Sequence, residues 1–381
     1  GRGLKHFWIS VKTKDFPNTM GSIKRQSVEE FQGGKHAHSS AVNIGRSVRP
    51  RMMACRNYSV LAAPLCEEKA RQLECIEPMR FHFYPSKWDK FGDSGTDKIE
   101  LGGFTPVNFI HDSHVLFLAD FNSNDVVLSQ INALITLCES FIKSLTVAVP
   151  YYPYGTNERV EKEGEVATAS TVARLLSGLP SCGGGPVRVI VYDLHTLQNR
   201  FYFHGNAVAS LCTTVPLLLT TLKEQAASVG KSVDVIAFPD DGACKRFGKV
   251  FAEAGYPLVT CGKVRDGDRR VVRIMEGTCK SQHVLIVDDL TRSGGTLHEC
   301  GKVLMAAGAC TVSAFVAHAA FPPGVAEKFL NNNGTSKCPG EFAIFEHFYT
   351  TDSNPSVTNK LPENDVFRVL KLAPQLSRDL A

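Results

Sequence analysis

The stretch VLIVDDLTRSGGT, residues 284–296, passes from an apolar strand directly into two aspartates and a loop rich in hydroxyls and glycine. A segment that only filled a core would have no use for that change, so the polar residues serve something outside the strand. Gly294 and Gly295 allow the backbone to approach a ligand closely. A helix beginning near Leu297 would add an N-terminus, which attracts anions. The stretch therefore predicts a strand–loop–helix unit that binds a ligand at the strand end.

The same alternation of strand and helix repeats along the chain from about Ser59. Continuous runs of Val, Ile, Leu and Phe separated by helices are typical of parallel sheets covered on both faces. We therefore predict an α/β protein with two tandem series of βαβ units, divided near residues 200–210. Predicted strands cover residues 114–121, 144–152, 187–195, 233–242, 283–290 and 311–319; predicted helices cover 167–179, 245–255 and 297–308, with a further helix carrying Val127, Ile131, Leu134, Cys138 and Phe141.

The composition is that of an ordinary globular protein, with 43% hydrophobic and 21% charged residues. No apolar run reaches the roughly 18–20 residues that a membrane helix needs, so no membrane partner is predicted. Residues 1–59 hold 11 basic and 3 acidic side chains, whereas the remaining residues hold 31 and 35. A mildly acidic body argues against nucleic acid as a partner.

Residues 1–58 form a basic leader that lacks an apolar period and is predicted to be disordered. An organellar presequence would share its richness in arginine and poverty in acids. Residues left from cloning or from an untranslated region are an equally open explanation. The twelve cysteines include no C-x-x-C pair, which predicts reduced thiols, a cytoplasmic location and no zinc site.

The acids and the loop of the opening stretch suit different parts of one ligand. Asp288 and Asp289 would repel a phosphate, so they suit ribose hydroxyls or a magnesium ion. Ser293 and Thr296 add hydroxyl donors to the backbone amides of Gly294 and Gly295, which suit a phosphate. The combination predicts a sugar-phosphate site, although a tight turn with a helix cap would need similar residues.

The stretch resembles the phosphoribosyl-pyrophosphate loop of type I phosphoribosyltransferases and of ribose-phosphate diphosphokinases (phosphoribosyl-pyrophosphate synthetases). Two further segments resemble the diphosphokinases: VIVYDLHTLQNRF and AFPDDGACKRF. The resemblance implies that His195 and Asp240 bind magnesium and that Gln198 contacts the nucleotide. A lone histidine after a strand is more often structural, and Asp193 is expected to be a structural acid.

The segment TCGKVRDGDRRVVRI resembles the mobile catalytic loop of the same family. The resemblance implies catalytic roles for Lys263 and Arg265, whereas charge alone would also fit a solvated β-hairpin with its turn at DGD. PYYPYGTNERVEKEGEV and KFGDS resemble the family's nucleotide side. The nucleotide-binding residues that this implies are Phe91, Asp93, Asn157, Glu158 and Arg159.

The resemblance covers roughly residues 60–375 and is strongest to the plant-type class II enzymes. It implies two phosphoribosyltransferase-like domains, residues 59–205 on the nucleotide side and 206–381 on the ribose 5-phosphate side, with the last strand and helix packing back on the first domain. It also implies transfer of the β,γ-diphosphoryl group of Mg-ATP to O1 of ribose 5-phosphate, giving phosphoribosyl pyrophosphate and AMP. The implied cofactor is Mg²⁺, the implied substrates are ATP (or other nucleoside triphosphates) and ribose 5-phosphate, and the implied assembly is a homo-oligomer.

Departures from the family pattern bear on the nucleotide preference and the regulatory sites. Arg292 stands in the ribose-phosphate loop where most members have an acid, and Thr156 and Asn157 stand where an Arg-Gln pair contacts ATP phosphates. Two other functions stay open at this point. One is a catalytically silent regulatory subunit of the same family, and the other is a phosphoribosyltransferase.

Overall fold

The computed structural model describes residues 56–230, 232–266, 269–330, 343–362 and 366–381. Residues 1–55 of the predicted basic leader lie outside these residues, and of its last three residues Tyr58 already begins the first strand. Among the described residues, no helix combines the length and the apolar character needed to cross a bilayer.

The first half of the chain builds a six-stranded sheet in which every neighbouring pair of strands is parallel. Its strands are nearly all buried, because helices cover both faces. An antiparallel hairpin of two short strands stands apart from the sheet. The elements are β1 (Tyr58–Ala62), α1 (Glu67–Ile76), β2 (Phe81–Phe83), the hairpin strands β3 (Lys87–Lys90) and β4 (Asp97–Glu100), β5 (His114–Leu118), α2 (Asn124–Cys138), β6 (Ser144–Val149), α3 (Thr168–Ser177), β7 (Val187–Tyr192) and β8 (Ala207–Cys212), and the order in the sheet is β2-β1-β5-β6-β7-β8.

The second half builds a seven-stranded sheet that is parallel except for one antiparallel pair at its edge. Its elements are α4 (Val215–Val229), β9 (Val235–Phe238), α5 (Asp241–Glu253), β10 (Leu258–Asp266), β11 (Arg269–Glu276), β12 (His283–Thr291), α6 (Gly295–Ala306), β13 (Thr311–Ala319), β14 (Phe345–Thr351), α7 (Pro355–Thr358), β15 (Phe367–Leu370) and α8 (Ala373–Asp379). The order is β11-β10-β9-β12-β13-β14-β15, with β10 and β11 antiparallel.

Two details differ from the predicted organisation. Strand β8 pairs along its whole length with β7, so the predicted second domain, 206–381, starts with a strand of the first sheet. Helix α2 ends at Cys138, so its predicted extension to Phe141 is wrong. The side chain of Phe141 is 78% exposed and its backbone is left-handed, because the chain turns there toward β6.

The C-terminal helix α8 packs against the first sheet, although β15 immediately before it belongs to the second. Leu372, Leu376 and Leu380 share an apolar cluster with residues of β1 and β2. Arg188 on β7 donates to the carbonyl of Asp379 at 3.0 Å. The last helix therefore packs against the first sheet, whereas the last strand belongs to the second.

The carboxyl ends of the two sheets meet at a cleft. His318, in β13, lies 3.0 Å through its Nε2 from the carbonyl oxygen of Tyr192, at the end of β7. The ring of Tyr151, just after β6, lies against the His318 imidazole with 5.0 Å between ring centroids. In sheets of this kind, ligands bind beyond the carboxyl ends of the strands, so the functional side chains are expected around this cleft.

Candidate active site

A charged network joins the strand ends of the two sheets. Nδ1 of His195, just after β7, lies 2.9 Å from Oδ2 of Asp289 in β12. Arg246, on the second turn of α5, donates from Nη1 to the same carboxylate oxygen at 3.1 Å and to the carbonyls of Leu194 and His195 at 2.6 and 3.2 Å. The guanidinium thus fixes the position of both the histidine backbone and the aspartate.

Asp193, which was expected to be a structural acid, lies behind this network and accepts hydrogen bonds from the chain that follows β8. It is almost fully buried and has a left-handed backbone, which aspartate tolerates better than most residues. Its Oδ2 accepts from the backbone N–H of Thr214 at 2.8 Å and from the hydroxyl of the same residue at 2.5 Å, while the hydroxyl of Thr213 donates to Oδ1. The carboxylate therefore locks the point at which the chain leaves the first sheet.

Neighbouring carboxylates raise the pKa of two side chains of the cleft, His195 and Asp288. The hydrogen bond to Asp289 raises the pKa of His195, and the charge of Glu158 adds to this effect. Burial, followed by the charge of Asp289, raises the pKa of Asp288 to about 8. The charge of Asp240 acts in the same direction on the pKa of Asp288, because it lies nearby. Carboxyl groups are thus crowded at this end of the second sheet, and a cation bound there would favour the ionised form of Asp288.

The residues predicted to bind a metal fit a sparsely ligated ion. Among the described residues, no three His, Cys, Asp or Glu side chains form a ready-made metal cluster. Mg²⁺ commonly takes only one or two protein carboxylates and completes its shell with water and substrate phosphates. The Nδ1 contact with Asp289 leaves Nε2 of half-exposed His195 available, an orientation common for metal-bound histidine. Asp240 is the N-cap of α5, accepting from the N–H of Ala243 at 2.9 Å.

Glu158 strengthens this fit from the side of the first sheet. Its Oε1 accepts from the hydroxyl of Thr196 at 3.1 Å, and its Oε2 is buried without a hydrogen-bond partner in the described structure. An unpaired buried carboxylate oxygen is costly and calls for a ligand. Arg159, whose side chain is 85% exposed, lies 3.5 Å from Oε1 of Glu158.

The glycine-rich loop ends in the N-terminus of α6, as predicted. Gly294 is left-handed and precedes the helix without a side-chain cap, so first-turn backbone N–H groups are left for an anion. The N–H of Gly294 donates to the hydroxyl of Thr291 at 3.1 Å, and the N–H of Gly295 to the hydroxyl of Ser293 at 3.4 Å. Thr296 follows in the first turn of the helix.

The segment with Lys263 and Arg265 forms the antiparallel strand pair β10–β11, and the predicted turn at DGD includes residues 267 and 268, which lie outside the described residues. The antiparallel pairing agrees with the hairpin that charge alone also allowed. Lys263 and Arg265 lie two positions apart on β10 and are exposed, so both project from the same face of the strand. Their catalytic roles stay a prediction.

The other predicted nucleotide residues are spread over the first half of the chain. Phe91 and Asp93 lie at the exposed tip of the β3–β4 hairpin, with Nζ of Lys98 5.7 Å from the centroid of the Phe91 ring. The hairpin is held against α2 by an ion pair of 2.5 Å between Lys90 and Asp125. No recorded contact of the described residues joins Phe91 or Asp93 to the His195–Asp289 network.

Asn157 and Gln198 are exposed side chains in the loops after β6 and β7, respectively. Asn157 lines a cavity of about 520 Å³ between loops of the two sheets. Two residues of this region were missed by the sequence reasoning. Arg246 stands in the quoted segment AFPDDGACKRF. The sequence signal that could have indicated it is a basic residue about one turn into the helix that follows the acids at the strand end. Tyr151 carries no signal beyond its place after a strand.

Comparison with known proteins gives concordant matches. The family of the phosphoribosyl transferase domain matches residues 219–328. Ribose-phosphate pyrophosphokinase 4 of Oryza sativa subsp. japonica is 42% identical over 315 residues, or 82% of this chain and 92% of the rice protein. Ribose-phosphate pyrophosphokinase 3, mitochondrial, of Spinacia oleracea is 43% identical over 338 residues, which cover 89% of this chain and 79% of the spinach protein.

A solved structure supports the fold independently of close sequence similarity. The crystal structure of phosphoribosylpyrophosphate synthetase from Mycobacterium smegmatis matches with a TM-score of 0.66 at 22% identity, covering 85% of this chain and 98% of that chain. The predicted fold class, with two sheet domains of the phosphoribosyltransferase type, is thereby confirmed.

Proposed function

Because the chain belongs to the ribose-phosphate pyrophosphokinase family, we propose that its cleft transfers the diphosphoryl group of Mg-ATP to O1 of ribose 5-phosphate. The products are phosphoribosyl pyrophosphate and AMP. The observation that carries this assignment is the contact of 2.9 Å between His195 and Asp289, which joins the functional strand ends of the two sheets at one cleft.

Ribose 5-phosphate occupies the end of β12. The uncapped start of α6 and the hydroxyls of Ser293 and Thr296 bind its phosphate, because backbone N–H groups and the helix dipole favour an anion. Asp288 and Asp289 accept hydrogen bonds from the ribose hydroxyls. Since Oδ2 of Asp289 is already shared by His195 and Arg246, the carboxylate is held in a fixed orientation toward the sugar.

The donor enters from the first sheet. Phe91 and Asp93 recognise the base, while Asn157, Glu158, Arg159 and Gln198 line the approach of the phosphates. His195 and Asp240 would hold Mg²⁺, which when bound would neutralise the charge of the triphosphate. Glu158, with one unpaired oxygen near His195, favours the same cation.

The chain's own contribution to the reaction is positioning and charge neutralisation. Asp289 and Arg246 hold His195, and the glycine-rich loop holds the acceptor, so that O1 attacks the β-phosphorus in line. Lys263 and Arg265 project from β10 and stabilise the charge that develops on the transferred and leaving groups. A covalent intermediate on the protein is not needed for such a transfer.

The assembly and the cellular compartment remain our predictions. The resemblance favours a homo-oligomer, and the predicted reduced thiols favour a cytoplasmic enzyme. The spinach relative is named mitochondrial, which keeps organellar targeting by the basic leader as the second hypothesis.

The test is release of AMP from ATP by the purified full chain with ribose 5-phosphate and Mg²⁺. We expect Lys263→Ala to lower kcat by about 100-fold or more, the loss typical for removing one transition-state donor. Its stability should be unchanged, because Lys263 is exposed. Lys249→Ala, an exposed lysine of α5, is the matched control and should keep full turnover.

The outcomes separate the alternatives. A wild-type chain that binds ATP but releases no AMP would be the silent regulatory subunit. A chain that consumes phosphoribosyl pyrophosphate together with a nucleobase would be a phosphoribosyltransferase. Full turnover of Lys263→Ala would refute only the role of the β10–β11 hairpin.

A further inference from the structure

The cavity of about 520 Å³ beside the His195–Asp289 network has a size typical of small-molecule sites. Loops from both sheets form its wall, including Pro153 and Asn157 after β6, Leu290 and Arg292 at the end of β12, and Asn354 after β14. None of the sugar-phosphate loop residues Ser293 to Thr296 lines it. The cavity therefore adjoins the acceptor site without being the same site.

Arg292 is the one charged residue among the described residues that line this cavity. Its side chain is exposed, and across the described ranges it forms no recorded hydrogen bond or ion pair. The remaining polar lining consists of amides and hydroxyls, with no carboxylate. A lone guanidinium in such a setting attracts an anion, and its planar fork matches phosphate oxygens.

Several amides of the wall are already engaged and shape the cavity. The side-chain oxygen of Asn124 accepts from the hydroxyl of Tyr154 at 2.9 Å, and Asn354 donates to the carbonyl of Ala319 at 3.0 Å. In contrast, the Tyr151 hydroxyl and the Asn157 amide have no recorded partner in the described part of the chain. Together with Arg292, they give the cavity three groups that can hydrogen-bond a ligand.

We propose that Arg292, with the Tyr151 hydroxyl and the Asn157 amide, forms a subsite for the phosphate chain of the nucleoside triphosphate donor. This inference rests on the proposed function. The donor is favoured over ribose 5-phosphate because the acceptor's predicted phosphate site is the start of α6, which lies outside the cavity. The first-sheet loop of Pro153 to Asn157, on the predicted nucleotide side, forms part of the cavity wall.

The test compares Arg292→Gln with Arg174→Gln, which removes an exposed charge from the last turn of α3. Because hydrogen bonds to charged groups are among the stronger ones, we expect KM for ATP to rise about tenfold or more in Arg292→Gln. KM for ribose 5-phosphate should stay within about twofold, and Arg174→Gln should match the wild type. Tyr151→Phe, which keeps the ring against His318, should raise KM for ATP by a smaller factor.

A direct binding measurement makes the inference independent of turnover. ATP binding to the full chain without ribose 5-phosphate, followed by calorimetry, should weaken by the same factor in Arg292→Gln. Unchanged ATP affinity, or an increase in KM for ribose 5-phosphate that equals the increase for ATP, overturns the assignment of Arg292 to the donor. A wild-type chain that binds ATP but releases no AMP would refute the proposed function, while the calorimetric comparison would still test the subsite.

Discussion

Replacing Gly294 by alanine is expected to destabilise the protein strongly. Gly294 has a φ of +77°, a conformation that L-residues with a side chain rarely adopt. A Cβ atom placed there would lie 2.2 Å from Cζ of Phe329. Phe329 is fully buried in an aromatic cluster, with its ring centroid 4.9 Å from that of Phe348, so the ring has little room to move.

Two contributions set the expected loss in the free energy of unfolding of Gly294→Ala. The left-handed backbone costs about 1–2 kcal/mol for a residue with a Cβ. Overpacking a well-filled core costs about 1–3 kcal/mol. We therefore expect Gly294→Ala to lower the free energy of unfolding by roughly 2–5 kcal/mol, with the helix of residues 295–306 otherwise intact.

Gly295→Ala is the matched control, because a Cβ there would meet only Oγ of Ser293, at 3.7 Å. Urea unfolding should place Gly295→Ala within about 1 kcal/mol of the wild type, on either side. Removing the ring in a Gly294→Ala/Phe329→Ala double variant should recover the packing part, about 1–3 kcal/mol of coupling. Equal stabilities of the two single variants would show that the loop does not hold Gly294 against the aromatic cluster.

Two further predictions concern the buried Asp193 and the half-buried Asp379. Asp193→Asn should lower the free energy of unfolding by about 2–3 kcal/mol, measured by urea unfolding. The variant loses the charge-assisted hydrogen bonds from Thr214 and the attraction to the nearby charge of Arg246. A loss below about 0.5 kcal/mol would contradict the role of Asp193 in holding this part of the chain. Burial raises the pKa of Asp379, so protonation of this side chain stabilises the folded state. This stabilisation is fully present below the ordinary pKa of aspartate and is lost as the pH rises through the raised pKa of the folded state. Asp379→Asn, which can keep a hydrogen bond with the Tyr192 hydroxyl, should therefore gain stability relative to the wild type between pH 4 and 7, and a thermal-melt difference that shrinks over that range would contradict this.

Much of the sheet framework was predictable because parallel strands buried on both faces leave continuous apolar runs. The predicted strands 283–290 and 311–319 agree with β12 and β13 to within one residue at each end. The helix predicted over residues 245–255 begins at Asp241, because the side chain of Asp240 caps it. The preceding strand accordingly ends at Phe238, before the predicted residue 242. Local hydrogen bonding of this kind is visible in sequence only as a cap candidate.

The links between distant segments were not predictable from one sequence. Arg246 bonds Asp289 across 43 positions and the carbonyl of Leu194 across 52, and neither bond leaves a trace in local periodicity. The contact of His195 with Asp289 was likewise invisible, although both residues were predicted to be functional. Strand β8 carries a mixed pattern of Ala, Ser and Cys, which gave no indication of the sheet to which it belongs.

The return of α8 to the first sheet means that the chain passes between the two sheets twice. One crossing lies between Cys212 and Val215, and the other between Leu370 and Ala373. Two domains joined by a single connection can rotate about any axis through it, whereas a second connection restricts the rotation to the axis that passes through both. If the cleft opens, the two sheets would therefore rotate about the line through these two connections, and such a rotation would change the distance between the His195 imidazole and the Asp289 carboxylate.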